Sequence, residues 1–189
     1  MKELIAVNFI LTQMGEAPAT SLEERSPTIS LARTYMGMAK STMLAIKWWF
    51  NNPTVKLAPD TEGRINAPAN AIAIYSKEQF NVEAHGKYLP NVTEDTQYFT
   101  APLTVELVFD VPFENLPELA AEYVMNAALI KLYQADYGVD NNLNVISGSA
   151  NNAMQNLKRE HLRKKRYNSS NGLRHATRVL TGQLMQRRY

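Results

Sequence analysis

The chain has 189 residues, a mass of 21.3 kDa, 45% apolar and 20% charged residues, and no cysteine. The missing cysteine excludes a disulfide scaffold, a thiolate zinc site, an iron–sulfur cluster and a cysteine nucleophile, and the length suits one domain or a domain with an insertion. A formal charge of +2 conceals two unlike parts: ten basic and seventeen acidic residues through position 155, net −7, then ten basic and one acidic in the last 34 residues, net +9.

Residues 3–14 place Leu4, Val7, Leu11 and Met14 on one helical face, widened by Ile5, Phe9 and Ile10, and Gly15 suits the position just past the helix end. Glu3, Asn8 and Gln13 interrupt this apolar run and no small-residue cleavage site follows, so it does not read as a secretory signal. No run reaches the roughly 18 apolar residues of a membrane span. The expectation is a soluble protein of a reducing compartment. Ser26-Pro27 then offers an N-cap followed by a proline at the first helical position. From there Ile29, Ala32, Met36, Ala39, Met43, Ile46 and Phe50 alternate at spacings of three and four, which predicts a helix over 28–50, stopped by Asn51-Asn52-Pro53.

Between 53 and 112 six prolines forbid a long helix. Short β-like runs appear instead at 54–57, 71–75, 80–83 and 103–109, with His85-Gly86-Lys87 placed as a hairpin turn. In the last run Leu103, Val105, Leu107 and Phe109 alternate with Thr104, Glu106 and Val108, the pattern of a half-buried strand. Helical spacing returns after Pro117, with Leu119, Tyr123, Ala127 and Leu132 (or Met125 and Leu129) along its faces and Gly138 at its end. The asparagines at 141, 142 and 144 predict a loop over 138–149. Ser147 or Ser149 would then cap a last helix running to about Tyr167, with a thin stripe of Ala150, Met154, Leu157 and His161. After Asn168 to Gly172, a last segment sets Leu173, Val179, Leu180, Leu184 and Met185 between arginines.

The fold class read from these patterns is α+β, mainly α: a helical bundle with an inserted small β subdomain and a C-terminal arm. Its parts are 1–52 and 114–167 for the bundle, 53–113 for the insertion and 168–189 for the arm.

Catalytic sets do not assemble. His85, His161 and His175 stand at no metal-ligand spacing, and two of them sit among arginines that would repel a cation. Glu94-Asp95, between Thr93 and Thr96, reads as a turn rather than two converging carboxylates. No glycine loop approaches a phosphate-binding pattern. The expectation is a protein without enzymatic activity or cofactor.

Two clusters carry the candidate sites. Trp48, Trp49 and Phe50 end the long predicted helix; they plug the junction of bundle and β region, or offer an anchor to another subunit or partner. Lys158, Arg159, Arg163, Lys164, Lys165 and Arg166 wrap the last helix, followed by Arg174, Arg178, Arg187 and Arg188 in the arm. Glu160 is the one acid among them. Aromatic residues for base stacking are scarce there and no sequence-reading motif is present, so contact with phosphate backbone or an acidic protein surface fits best.

The N-terminal residues also carry a resemblance. Ala6, Val7, Asn8, Ile10, Leu11, Gly15, Glu16, Pro18, Ser21 and Leu22 match the opening pattern of the tail tubular protein A family of T7-like short-tailed bacteriophages. Ala19 stands where valine is common. The similarity continues through Trp48-Trp49-Phe50, Ala67-Pro68, the run Val108 to Phe113, and Leu116 to Ala120, covering roughly 4–135. The strongly basic end departs from the acidic or mixed last helix common in the family.

The resemblance implies a structural adaptor of the virion tail, assembled in the host cytoplasm. It implies a twelve-fold ring below the portal protein that continues the DNA channel without sequence preference and seats the nozzle (tubular protein B) and tail fibre protein. It also implies an antiparallel bundle whose arm grips the portal, with no membrane in the assembled state. The alternative reading from charge alone is a nucleic-acid-binding packaging or architectural protein that uses the 158–166 helix.

Overall fold

A computed structural model describes residues 1–76, 87–91 and 94–165. The predicted strand at 80–83, the turn at His85-Gly86, Arg166 and the arm at 168–189 lie outside the described residues. The elements are helices α1 (Glu3–Gln13), α2 (Pro27–Leu44), α3 (Glu118–Tyr137) and α4 (Asn141–Lys164), with strands β1 (Thr54–Leu57), β2 (Ala71–Ser76) and β3 (Leu103–Phe109). The class is α+β and mainly helical.

Helix α1 ends as its sequence dictates. Gly15 takes φ +79°, a left-handed conformation that glycine adopts without steric cost. The amides of Gly15 and Glu16 turn back to the carbonyls of Thr12 and Leu11 at 3.1 and 2.9 Å, closing a Schellman motif. Asn8 then clamps the following loop at two points: its Nδ2 donates to the Ala19 carbonyl at 2.9 Å and its Oδ1 accepts the Ala19 amide at 2.8 Å. Val7, Ile10, Leu11 and Met14 are buried, but Ile5 and Phe9, expected to widen the buried stripe, are 58% and 39% exposed.

Helix α2 starts as predicted, with the Ser26 hydroxyl accepting the Ile29 amide at 3.4 Å. It stops at Leu44, six residues before the predicted end at Phe50. The reason is a side-chain takeover of its last hydrogen bonds. Asn51 Nδ2 donates to the Leu44 carbonyl (2.8 Å), Asn51 Oδ1 accepts the Trp48 amide (2.9 Å), and Trp48 Nε1 donates to the Met43 carbonyl (2.8 Å). These bonds satisfy the orphan carbonyls of a helix end without another turn. Ile46, predicted to lie on the apolar stripe, is 50% exposed.

The same segment fastens the bundle to the sheet. The Phe109 amide donates to the Asn51 carbonyl at 2.9 Å, Asn52 Nδ2 donates to the Leu107 carbonyl at 2.9 Å, and Lys47 pairs with Glu106 at 3.0 Å. The sheet is antiparallel in the order β1-β3-β2, with a bulge between Ala71 and Ala73. Leu103, Val105 and Leu107 of β3 are buried in a small cluster with Ile65, Ile74, Leu89 and Phe99, separate from the main core. Val108 departs from the alternation and is buried too.

Helix α3 is the centre of the bundle and packs against α1, α2 and α4. Ala120, Ala121, Val124, Ala128, Leu129 and Leu132 are its buried residues of 1% exposure or less. Of the positions predicted along its faces, Met125, Leu129 and Leu132 are buried, while Leu119, Tyr123 and Ala127 are half-buried. Pro117 is the N-cap residue rather than part of the first turn.

Helix α4 begins where a loop was expected. Asp140 Oδ1 accepts the Leu143 amide at 2.9 Å, so the helix starts at Asn141 and the connection from α3 is a tight turn. Ser147 and Ser149 lie inside the helix, not at its cap. Its buried line is Leu143, Ala150, Ala153 and Leu157, with Met154 and His161 half-buried.

Contacts at the ends fix the directions. The Met1 amino group pairs with Glu118 at 3.1 Å and Tyr137 Oη donates to the Met14 carbonyl at 3.0 Å, so α1 runs parallel to α3. Thr28 Oγ1 donates to Glu16 at 2.7 Å, placing the start of α2 beside the end of α1. Helix α2 therefore runs back, as α4 does after its turn, and the bundle alternates up and down.

Candidate functional site

The basic end of α4 and the aromatic turn after α2 meet at one end of the bundle. The last turns of α4 present Lys158, Arg159, Arg163, Lys164 and Lys165, all exposed. At about 100° per residue these five positions spread around the helix rather than along one stripe. Leu157, fully buried, holds the helix against the core just before the basic turns begin. Glu160 pairs with Arg163 and stands 3.9 Å from Lys164, offsetting part of this charge. Cations at a helix C-terminus also complement the negative end of the helix dipole, a local reason for their placement.

The aromatic trio faces inward to different depths. Trp48 is 2% exposed, while Trp49 and Phe50 are half-buried. The rings of Trp48 and Phe50 lie parallel with centroids 6.4 Å apart, and Trp49 meets Phe50 edge-on at 5.0 Å. His161 of α4 completes the cluster, edge-on to Trp48 at 5.3 Å and tilted against Trp49 at 6.1 Å. Its Nδ1 is buried without a hydrogen-bond partner. Desolvation lowers the His161 pKa from its ordinary value of 6.5, and the nearby Lys165 charge acts in the same direction. Both effects favour the neutral form of the ring, which packs against the two tryptophans.

The structure thus brings five of the predicted basic residues together with the three aromatics through His161. Arg166, Arg174, Arg178, Arg187 and Arg188 lie outside the described residues. Asp140, which caps the start of α4, was missed in the sequence, although it is a capping-type residue beside a helical pattern; Asn51 was read as part of the stop of α2, but not as the side chain that ends the helix at Leu44. Glu94 is engaged in a turn, its carboxylate accepting from Asn91 Nδ2 at 3.0 Å. Among the described residues no group of three or more His, Asp or Glu is placed to hold a metal ion, and no helix is long and apolar enough to cross a membrane.

A protein-family model described as tail tubular protein matches residues 4–167. The tail tubular protein A of Klebsiella phage KP34 is 31% identical over 188 residues, covering 98% of this chain and 100% of that protein. The match therefore spans both halves of the bundle and the β region between them, and on it the chain belongs to the tail tubular protein family and is a phage tail protein.

Proposed function

We propose that the protein is a non-enzymatic adaptor that forms a ring between the portal protein and the tail nozzle, tubular protein B. In this reading about twelve copies surround the DNA channel, the β region faces the nozzle and tail fibre protein, and the basic end meets the portal. The observation that carries it is the placement of five cations around the outer end of α4 in a chain whose family is that of tail tubular proteins.

The physical logic is repetition. A modest contact, repeated around a ring, gains avidity because each later contact forms at high effective concentration. The same repetition turns the basic end into a positive collar, attractive to acidic protein surface and to passing DNA phosphate. The half-buried Trp49 and Phe50 are the aromatic positions suited to anchor a neighbouring subunit; Trp48 is committed to its own core.

Sedimentation with portal rings tests the reading. Removing residues 168–189 should abolish association with the portal and leave the bundle folded; full association of the truncated chain contradicts the arm's role. The basic helix also favours a second reading, direct nucleic-acid binding. Tight duplex binding by the free monomer, falling with salt by a slope of about −0.9 per phosphate contacted, would select that reading over the adaptor.

A further inference from the structure

Helix α2 carries two apolar lines, of which the bundle uses one. Ile29, Ala32, Met36 and Met43 are buried in the core. Leu31, Tyr35, Met38, Thr42 and Ala45 follow a second alternation of four and three, and this line faces outward, with Met38 62% and Leu31 44% exposed. Helix α2 has two charged residues, Arg33 and Lys40, and both are tied back to other parts of the chain, to Glu3 and Asp110 at 2.8 Å each. Beside the outward line runs the half-buried face of α3, and together Tyr35, Met38, Thr42, Tyr123 and Ala127 line a furrow whose one charge is Lys131.

A matching ridge lies on another flank. Ile5 and Phe9, one turn apart on α1, project from the same bundle at 58% and 39% exposure. The N-terminus of α1 contacts Glu118, nine positions before Ala127 and so half a helical revolution away on α3. Furrow and ridge therefore lie on different flanks of the bundle. Because α1 runs parallel to α3, with Met1 beside Glu118 and Met14 beside Tyr137, Ile5 and Phe9 stand at the height of Tyr123 and Ala127.

We infer that the α2/α3 furrow of one copy receives the Ile5–Phe9 ridge of the next. This rests on the ring reading above and names its subunit contact. Rotation about an axis along the bundle keeps every residue at its own height, so it brings ridge and furrow together with α1 of one copy parallel to α3 of its neighbour. The contact is head-to-tail, with different surfaces on its two sides, which is the type that closes rings. It covers uncharged aromatic and methionine side chains with an uncharged aromatic and aliphatic pair, a composition typical of interface cores.

The absence of cysteine makes a clean test. Phe9→Cys and Met38→Cys replace exposed side chains, and a short bis-maleimide linker then reports proximity in assembled protein. Each single variant should stay uncross-linked, an equal mixture of the two should give dimers only, and the double variant should give a ladder of covalent oligomers. Dimers from Met38→Cys alone would mean furrow against furrow and overturn the contact. A double variant that assembles by sedimentation but gives no ladder overturns the contact and leaves the ring reading standing. If wild-type chain forms no assembly, alone or with portal, both fall.

Discussion

Helices α2 and α4 flank the same central helix and dispose of their outer faces in opposite ways. The outer line of α2 is apolar and its two charges are drawn back into the chain by Glu3 and Asp110. The outer surface of α4 is mostly polar, with Val145 and Leu162 as its exposed apolar side chains, and ends in five exposed cations. The first surface gains by being covered with apolar side chains, through area removed from water. The second gains from negative charge and loses strength with salt. One bundle thus separates a surface suited to copies of itself from one suited to an unlike, negatively charged partner.

The two helices converge at Trp48 and His161, and the largest break should come there. Trp48→Ala removes a ring that is 2% exposed, stacks on Phe50 and meets His161 edge-on. The expected loss is about 3–5 kcal/mol, read as a lower denaturation midpoint, with the basic end of α4 exchanging its amide hydrogens faster. A smaller loss than that at any core leucine would show that the junction does not hold α4.

Asn51→Ala comes next. It strands the Leu44 carbonyl, bonded through the buried Asn51 side chain, and leaves the Trp48 amide with its bond to the Ile46 carbonyl at 2.9 Å. Unsatisfied buried groups of this kind cost about 1–3 kcal/mol. The measurement is equilibrium unfolding, and an unchanged midpoint would show that the turn after α2 closes without this side chain. Asp140→Ala, at the other end of α4, removes the cap on the Leu143 amide and should cost about 0.5–2 kcal/mol. Asn at the same position should restore most of it, because its side-chain oxygen accepts the same bond.

The smallest effect is a pH slope. Burial lowers the folded-state pKa of His161 below its ordinary value of 6.5, so the unfolded chain binds the proton more readily. Stability is then complete above that value and declines as the pH falls below it. His161→Gln should flatten this part of the profile in urea unfolding at pH 5 to 7. A slope that persists unchanged would assign it to other groups.

Much of the fold was legible in the sequence, for local reasons. The bounds of β1 and β3 follow from their alternation, and the start of α2 from Ser26-Pro27. The errors lie where a distant or side-chain partner decides. The spacing of α2 continues to Phe50, but Asn51 takes over its last hydrogen bonds. The asparagines after Asp140 read as loop because asparagine is a weak helix former, yet the Asp140 cap and the burial of Leu143 draw them into α4. On α3 the spacing alone fits more than one face, and the arrangement of three neighbouring helices selects Ala121, Val124 and Ala128 over Tyr123 and Ala127. The cations of the candidate site were legible because exposed charge needs no partner to be recognised. The contact of His161 with Trp48 and Trp49 was not, since it joins segments more than a hundred positions apart in sequence.

The proposed ring requires that copies of this chain close around a channel. End-on electron microscopy of the protein assembled with portal rings tests it most directly. The expected image is a hollow ring of about twelve subunits with the basic ends of α4 gathered on the portal side. Isolated monomers, or a filled particle without a central channel, would contradict it.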